Sequence, residues 1–83
     1  MSKPHDPPTA PNLEQQRMRA QDLRRAHRDG SAAAAERIAR HLPRARGQTA
    51  PQVLASRFTS SEAQLVIARE AGYSAWPALK QAL

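Results

Sequence analysis

The stretch 59-TSSEAQLVIAREAG-72 holds the start, body and stop of one helix. Thr59 and Glu62 stand at capping-box spacing, in which each side chain accepts from a backbone N–H of the other, and Gly72 supplies the left-handed residue on which helices end. Between them Leu65, Val66, Ile67 and Ala68 are apolar in succession, so this helix is covered on more than one side and lies at the centre of the fold. The same reading extends outward. Ser74 caps a fifth helix in which Pro77 is tolerated in the first turn and Trp76, Leu79 and Leu83 share a face at i, i+3 and i+7. Trp76 is therefore read as core, with the chain ending inside it.

Toward the N-terminus, Thr49 and Gln52 repeat the capping-box spacing, Pro51 fits a first turn, and Val53, Leu54 and Phe58 form the buried side of a short third helix. The basic stretch 43–48 reads as a loop. Ser31 caps a second helix ending near Leu42, because Pro43 disfavours helical geometry in the residue before it. Ala34, Ala35, Ile38 and Leu42 make one apolar face of that helix. Asn12, with Gln15 three residues on, opens a first helix that continues through Asp29 and stops at Gly30. Leu13, Ala20 and Leu23 give this long helix only a thin apolar stripe, with Met18 to one side, so much of it faces water or another molecule. No segment alternates with period two, and the fold class is all-α with about five helices. Residues 1–11 hold prolines at 4, 7, 8 and 11 and no apolar periodicity, and they read as a disordered tail ahead of a small helical domain over 12–83.

Leu23, Ala26 and Gly30 recur with identical spacing as Leu65, Ala68 and Gly72, a period of 42 residues. Each set precedes another helix. A small residue one turn before the Gly lets two antiparallel helices approach closely, so the repeat predicts two helix-turn-helix hairpins joined by the short third helix. The run 63-AQLVIAREAGYSAWPALK-80 resembles a helical segment of bacterial ankyrin-repeat-like proteins, which also recurs as an accessory module beside unrelated bacterial domains. In that family an aromatic follows the Gly, matched by Tyr73, and then a Ser-x-Trp-Pro-x-Leu pattern, matched by Ser74, Trp76, Pro77 and Leu79. Ala26, Gly30 and Leu42-Pro43 match the family's first hairpin more loosely. The resemblance implies ankyrin-like hairpins and, by analogy, protein binding. These 83 residues carry neither the enzyme domain nor the ankyrin repeats that often accompany the module.

The chain is 40% apolar, but seventeen of those residues are Ala, so it has material for one small core. With no Cys it has neither a disulfide framework nor a thiolate site. No apolar run approaches a membrane span or a signal peptide, and a cytoplasmic location without membrane association is expected. His5, His27 and His41 are too scattered to hold a metal. Gly30, Gly47 and Gly72 are isolated rather than a phosphate cradle, and Ser60 and Ser61 lack a neighbouring base. No cofactor and no catalytic residue is expected.

The net charge of +6 is uneven. Residues 1–47 hold ten basic and five acidic groups, residues 48–83 three and two. Eleven of the thirteen cations are Arg, whose planar fork grips carboxylate or phosphate with two parallel bonds. Arg17, Arg24 and Arg28 fall at i, i+7 and i+11 on one face of the first helix, flanked by Arg19 and Arg25. Arg37 and Arg40 follow on the second. Glu14, Asp22 and Asp29 can pair locally and reduce this to a solvated surface. The leading expectation is a small, non-catalytic protein-protein interaction module. Its candidate partner-binding residues are Arg17, Arg24, Arg25, Arg28, Arg37 and Arg40. The alternative is nucleic-acid binding by the same residues with Arg44 and Arg46, although the first half has no aromatic to stack on bases and its acids dilute the positive field.

Overall fold

Four local sequence signals place the helix starts of a chain whose residues 12–83 are described by a computed structural model. Helix α1 spans Leu13–Arg28, α2 Ala32–His41, α3 Ala50–Ala55, α4 Ser60–Glu70 and α5 Trp76–Ala82, with a 3-10 turn over Pro43–Ala45. Over the described residues the protein is all-α. The expected tail over 1–11 lies outside them. Asn12 Oδ1 accepts from the Gln15 N–H at 2.7 Å, and Ser31 Oγ from that of Ala34 at 3.1 Å. Both capping boxes, Thr49 with Gln52 and Thr59 with Glu62, close in both directions.

The 42-residue repeat is a repeated helix ending. The Ser31 N–H donates to the Ala26 carbonyl at 3.0 Å and the Gly30 N–H to that of His27 at 3.1 Å, while Tyr73 and Gly72 do the same to Ala68 and Arg69 at 2.9 and 3.0 Å. These are two Schellman stops, with Gly30 at φ +81° and Gly72 at +97°, where a Cβ would be strained. Ala68 is buried and Ala26 half-buried, in keeping with close approach of the following segment.

Helix α4 is the centre: α1, α2 and α5 all pack on it. Its Ala63, Val66, Ile67 and Ala68 are buried and Leu65 is half-buried. Helix α1 lies chiefly along α4 and only lightly on α2, whereas α3 packs on α2. The hairpins thus close across each other. Leu23, Ile38, Leu42, Val53, Phe58, Val66 and Ile67 form the main cluster. Each fully buried side chain of this size stabilises the fold by about 1.5–3 kcal/mol relative to exposure. Gln16 is buried beside them on the same side of α1 as Ala20 and Leu23, and its Oε1 has no hydrogen-bond partner.

Five expectations are corrected. Ser74 does not cap α5: the N-cap is Ala75, which makes no side-chain cap bond, because Pro77 sits in a first turn that begins at Trp76. The Ser74 carbonyl instead accepts from Arg69 Nε at 3.2 Å. Trp76 is half-buried against the core rather than within it, and Leu83 is exposed, since α5 ends at Ala82, short of the second full turn that would return position 83 to the buried face. Leu79 alone is fully buried on that helix. Phe58 belongs to the segment after α3 and not to the helix, and the supposed loop 43–48 begins with a 3-10 turn that buries Ala45.

Candidate functional site

A helix returns to the same side every three to four residues, and on α1 that periodicity separates two stripes. Gln16, Ala20 and Leu23 face the core. Arg17, Gln21, Arg24 and Arg28 run along the adjoining flank, with Arg24 roughly 10 Å along the axis from Arg17 and roughly 6 Å from Arg28. This flank faces the start of α4, where Arg24 Nη1 donates to Ser60 Oγ at 2.9 Å. Two concavities lie along it. One, of about 360 Å³, is lined by Gln21, Arg24, Arg25, His27, Arg28 and Phe58. The other, of about 130 Å³, is lined by Arg17, Ala20, Gln21, Arg24, Ser60 and Gln64. Gln21 and Arg24 line both, so the two lie side by side along the flank and are together termed the trough.

Four arginines line the trough and no carboxylate of the described residues does. None of the acids expected to dilute the charge of α1 lines the trough: Asp22 and Asp29 lie on another side of the helix, and Glu14, which shares the flank at i−7 from Gln21, stands before Arg17 and outside the lining. Asp22 meets Arg25 at 3.7 Å with both side chains more than 60% exposed, a geometry of little energetic weight. The floor is rigid. The His27 ring tilts against Phe58 with centroids 5.2 Å apart, and its Nε2 lies 3.0 Å from the Val53 carbonyl, which only accepts, so Nε2 is the donor.

The remaining candidate arginines are placed differently. Arg37 closes bidentately on Glu70, both bonds at 2.7 Å, which ties α2 to the end of α4. Arg44 closes on Glu62 at 2.6 and 2.9 Å and also donates to the Arg57 carbonyl. Arg40 is exposed on α2, roughly 200° around the helix from buried Ile38, and Arg46 precedes the Gly47 turn; neither lines the trough. The structure therefore brings together Arg17, Arg24, Arg25 and Arg28 and leaves Arg37 and Arg40 apart from them. Gln64, which sequence reasoning did not single out, and Ser60 and His27, which it weighed only for catalysis and metal binding, are trough residues. The i+7 spacing of Gln21 and Arg28 beside Arg17 and Arg24 would have added Gln21.

The two clasps leave an acid-sensitive signature. Hydrogen bonds from Arg44 hold the Glu62 carboxyl below the usual carboxylate range, assisted by the Thr59 N–H and opposed by partial burial. Those from Arg37 do the same for Glu70. Because these carboxyls are more acidic folded than unfolded, their contribution is fully present above the ordinary Glu range and is lost as pH falls through the depressed values. Urea midpoints measured from neutral pH down to pH of about 3 should fall in acid. A variant with Arg37→Met and Arg44→Met should fall less steeply; an unchanged slope would mean the clasps do not couple to folding.

Among the described residues no three His, Asp or Glu side chains converge as a metal would require, and no helix is long and apolar enough to cross a membrane. No protein-family model, no curated protein and no solved structure matches the chain.

Proposed function

We propose that the chain is a non-catalytic protein-interaction module whose recognising element is α1. The observation that carries this is the one-sided docking of that helix. Of its sixteen residues only Gln16, Ala20 and Leu23 are buried, while Met18 stays 57% exposed and the arginine flank lies open beside it. An exposed large apolar side chain next to arginines is the composition of interfaces, where a few such anchors carry most of the binding energy. The likeness of residues 63–80 to an ankyrin-like module supports the same reading by analogy, and cytoplasmic residence belongs to it. The trough holds arginines, amides, a hydroxyl and one imidazole already bonded to the Val53 carbonyl rather than an acid paired with a base, an arrangement suited to binding rather than turnover.

Capture of the partner from the native host, followed by amide-exchange mapping of the complex, tests the reading. Residues 13–28 should gain protection, and Met18→Asp should cut capture by about tenfold, as loss of an interface anchor does. A footprint confined to α2, α3 or α5 would sink it.

A second reading, nucleic-acid binding through Arg17, Arg24, Arg25, Arg28, Arg37, Arg40, Arg44 and Arg46, is favoured by the row of arginines without a carboxylate. It is weakened by the engagement of Arg37 and Arg44 with Glu70 and Glu62. If it holds, oligonucleotide affinity falls steeply between roughly 50 and 200 mM salt through counterion release; a flat salt response excludes it.

A further inference from the structure

Resting on the reading of α1 as the recognising element, we infer that the trough between α1 and the start of α4 takes an acidic peptide segment of the partner. The fold itself displays how its arginines take carboxylates. Arg37 and Arg44 both have a glutamate in reach, and both close on it through two N–H donors at 2.6 to 2.9 Å. Arg17, Arg24 and Arg28 present the same planar forks along a concave surface that no carboxylate of the described residues lines, and among the described residues Arg24 hydrogen-bonds the Ser60 hydroxyl alone. Their axial positions span roughly 16 Å, over which an extended acidic segment alongside α1 sets a carboxylate on the same face roughly every 7 Å, within reach of the long arginine side chains.

Two further details favour a peptide over a polynucleotide. Gln21 and Gln64, on opposite walls, each offer a donor and an acceptor, a pairing that peptide groups satisfy and a phosphodiester backbone, which only accepts, does not. Of the rings in the lining, Phe58 is 6% exposed and presents no face on which a base could stack, and the half-buried His27 ring is engaged by its packing on Phe58 and its bond to the Val53 carbonyl. The occupant is therefore an acidic segment whose carboxylates meet Arg17, Arg24 and Arg28 and whose backbone meets the amides.

The test uses the full chain and two labelled probes of equal charge, an oligo-glutamate peptide and a single-stranded oligonucleotide, read by fluorescence anisotropy at moderate salt. The peptide should bind more tightly than the oligonucleotide. Arg17→Ala, Arg24→Ala and Arg28→Ala should each weaken it about fivefold, whereas Arg40→Ala, which removes an equal charge outside the trough, should leave it unchanged. Helicity of each variant by circular dichroism guards against loss of fold. Equal weakening by Arg40→Ala overturns the proposal in favour of diffuse charge, and tighter binding of the oligonucleotide overturns it in favour of nucleic acid. If the peptide fails to bind while capture of the host partner still depends on α1, the acidic segment is refuted and the interaction module stands. If both fail, both are refuted.

Discussion

Leu23→Ala is expected to detach α1 and unfold most of the chain. Leu23 is 1% exposed and is the one large apolar side chain that α1 buries completely; its neighbours on that stripe are Ala20, which is small, and Gln16, which brings a polar atom without a partner. Truncating such a leucine costs about 2–5 kcal/mol in lost transfer energy and cavity formation. A domain of this size holds about 3–5 kcal/mol in total. The polar ties of α1 to later elements are two hydrogen bonds among the described residues, an exposed one from Arg24 to Ser60 and a part-buried one from His27 to the Val53 carbonyl, too few to replace that burial. Thermal melts followed by circular dichroism decide the matter: a midpoint close to wild type would mean that α1 is held by something other than its apolar stripe. Binding by the trough should disappear with the fold, because one wall belongs to α1 and the other to α4.

The second large effect is expected at Leu79. Helix α5 is attached through α4, and Leu79 is the residue it buries completely. Leu79→Ala should destabilise that attachment by about 2–5 kcal/mol. The single Trp makes the loss visible: Trp76 opens α5 and rests half-buried against the main cluster. Its fluorescence should shift to longer wavelength in Leu79→Ala at denaturant concentrations where the wild-type emission is still unshifted. Emission that stays coincident with wild type would show that the indole, and not Leu79, anchors the helix.

The starts and stops of the helices were legible because each is written within a few residues. Asn12, Ser31, Thr49 and Thr59 each accept from a backbone N–H three positions on, and Gly30 and Gly72 each end a helix by bonds spanning at most five. Ser74 shows the limit of such patterns, since a residue with capping chemistry stands one position before the real N-cap. Leu83 failed for a related reason: its i+7 phase to Trp76 has meaning only over two full turns, and α5 ends before it. The destinations of the arginines were not legible at all. Arg37 and Glu70 are 33 residues apart and Arg44 and Glu62 18, so no local spacing tells which cations the fold consumes. Half of the trough could be read from the helical phase of Arg17, Arg24 and Arg28. The other half, Ser60 and Gln64, arrives only through the packing of α1 on α4.

That packing also fixes when, during synthesis, the protein can become a protein. The helix that covers Leu23 begins 36 residues after Arg24, and α1 touches its immediate successor α2 only lightly. As the nascent chain emerges, α1 and α2 therefore offer each other little surface, and Leu23 lacks its main cover until α4 has left the ribosome. Folding waits for the second half of the chain and then engages both halves together, with a loop-closure cost that rises only slowly with the intervening length. The two halves share a helix ending, yet α1 of the first finds its main packing partner, α4, in the second.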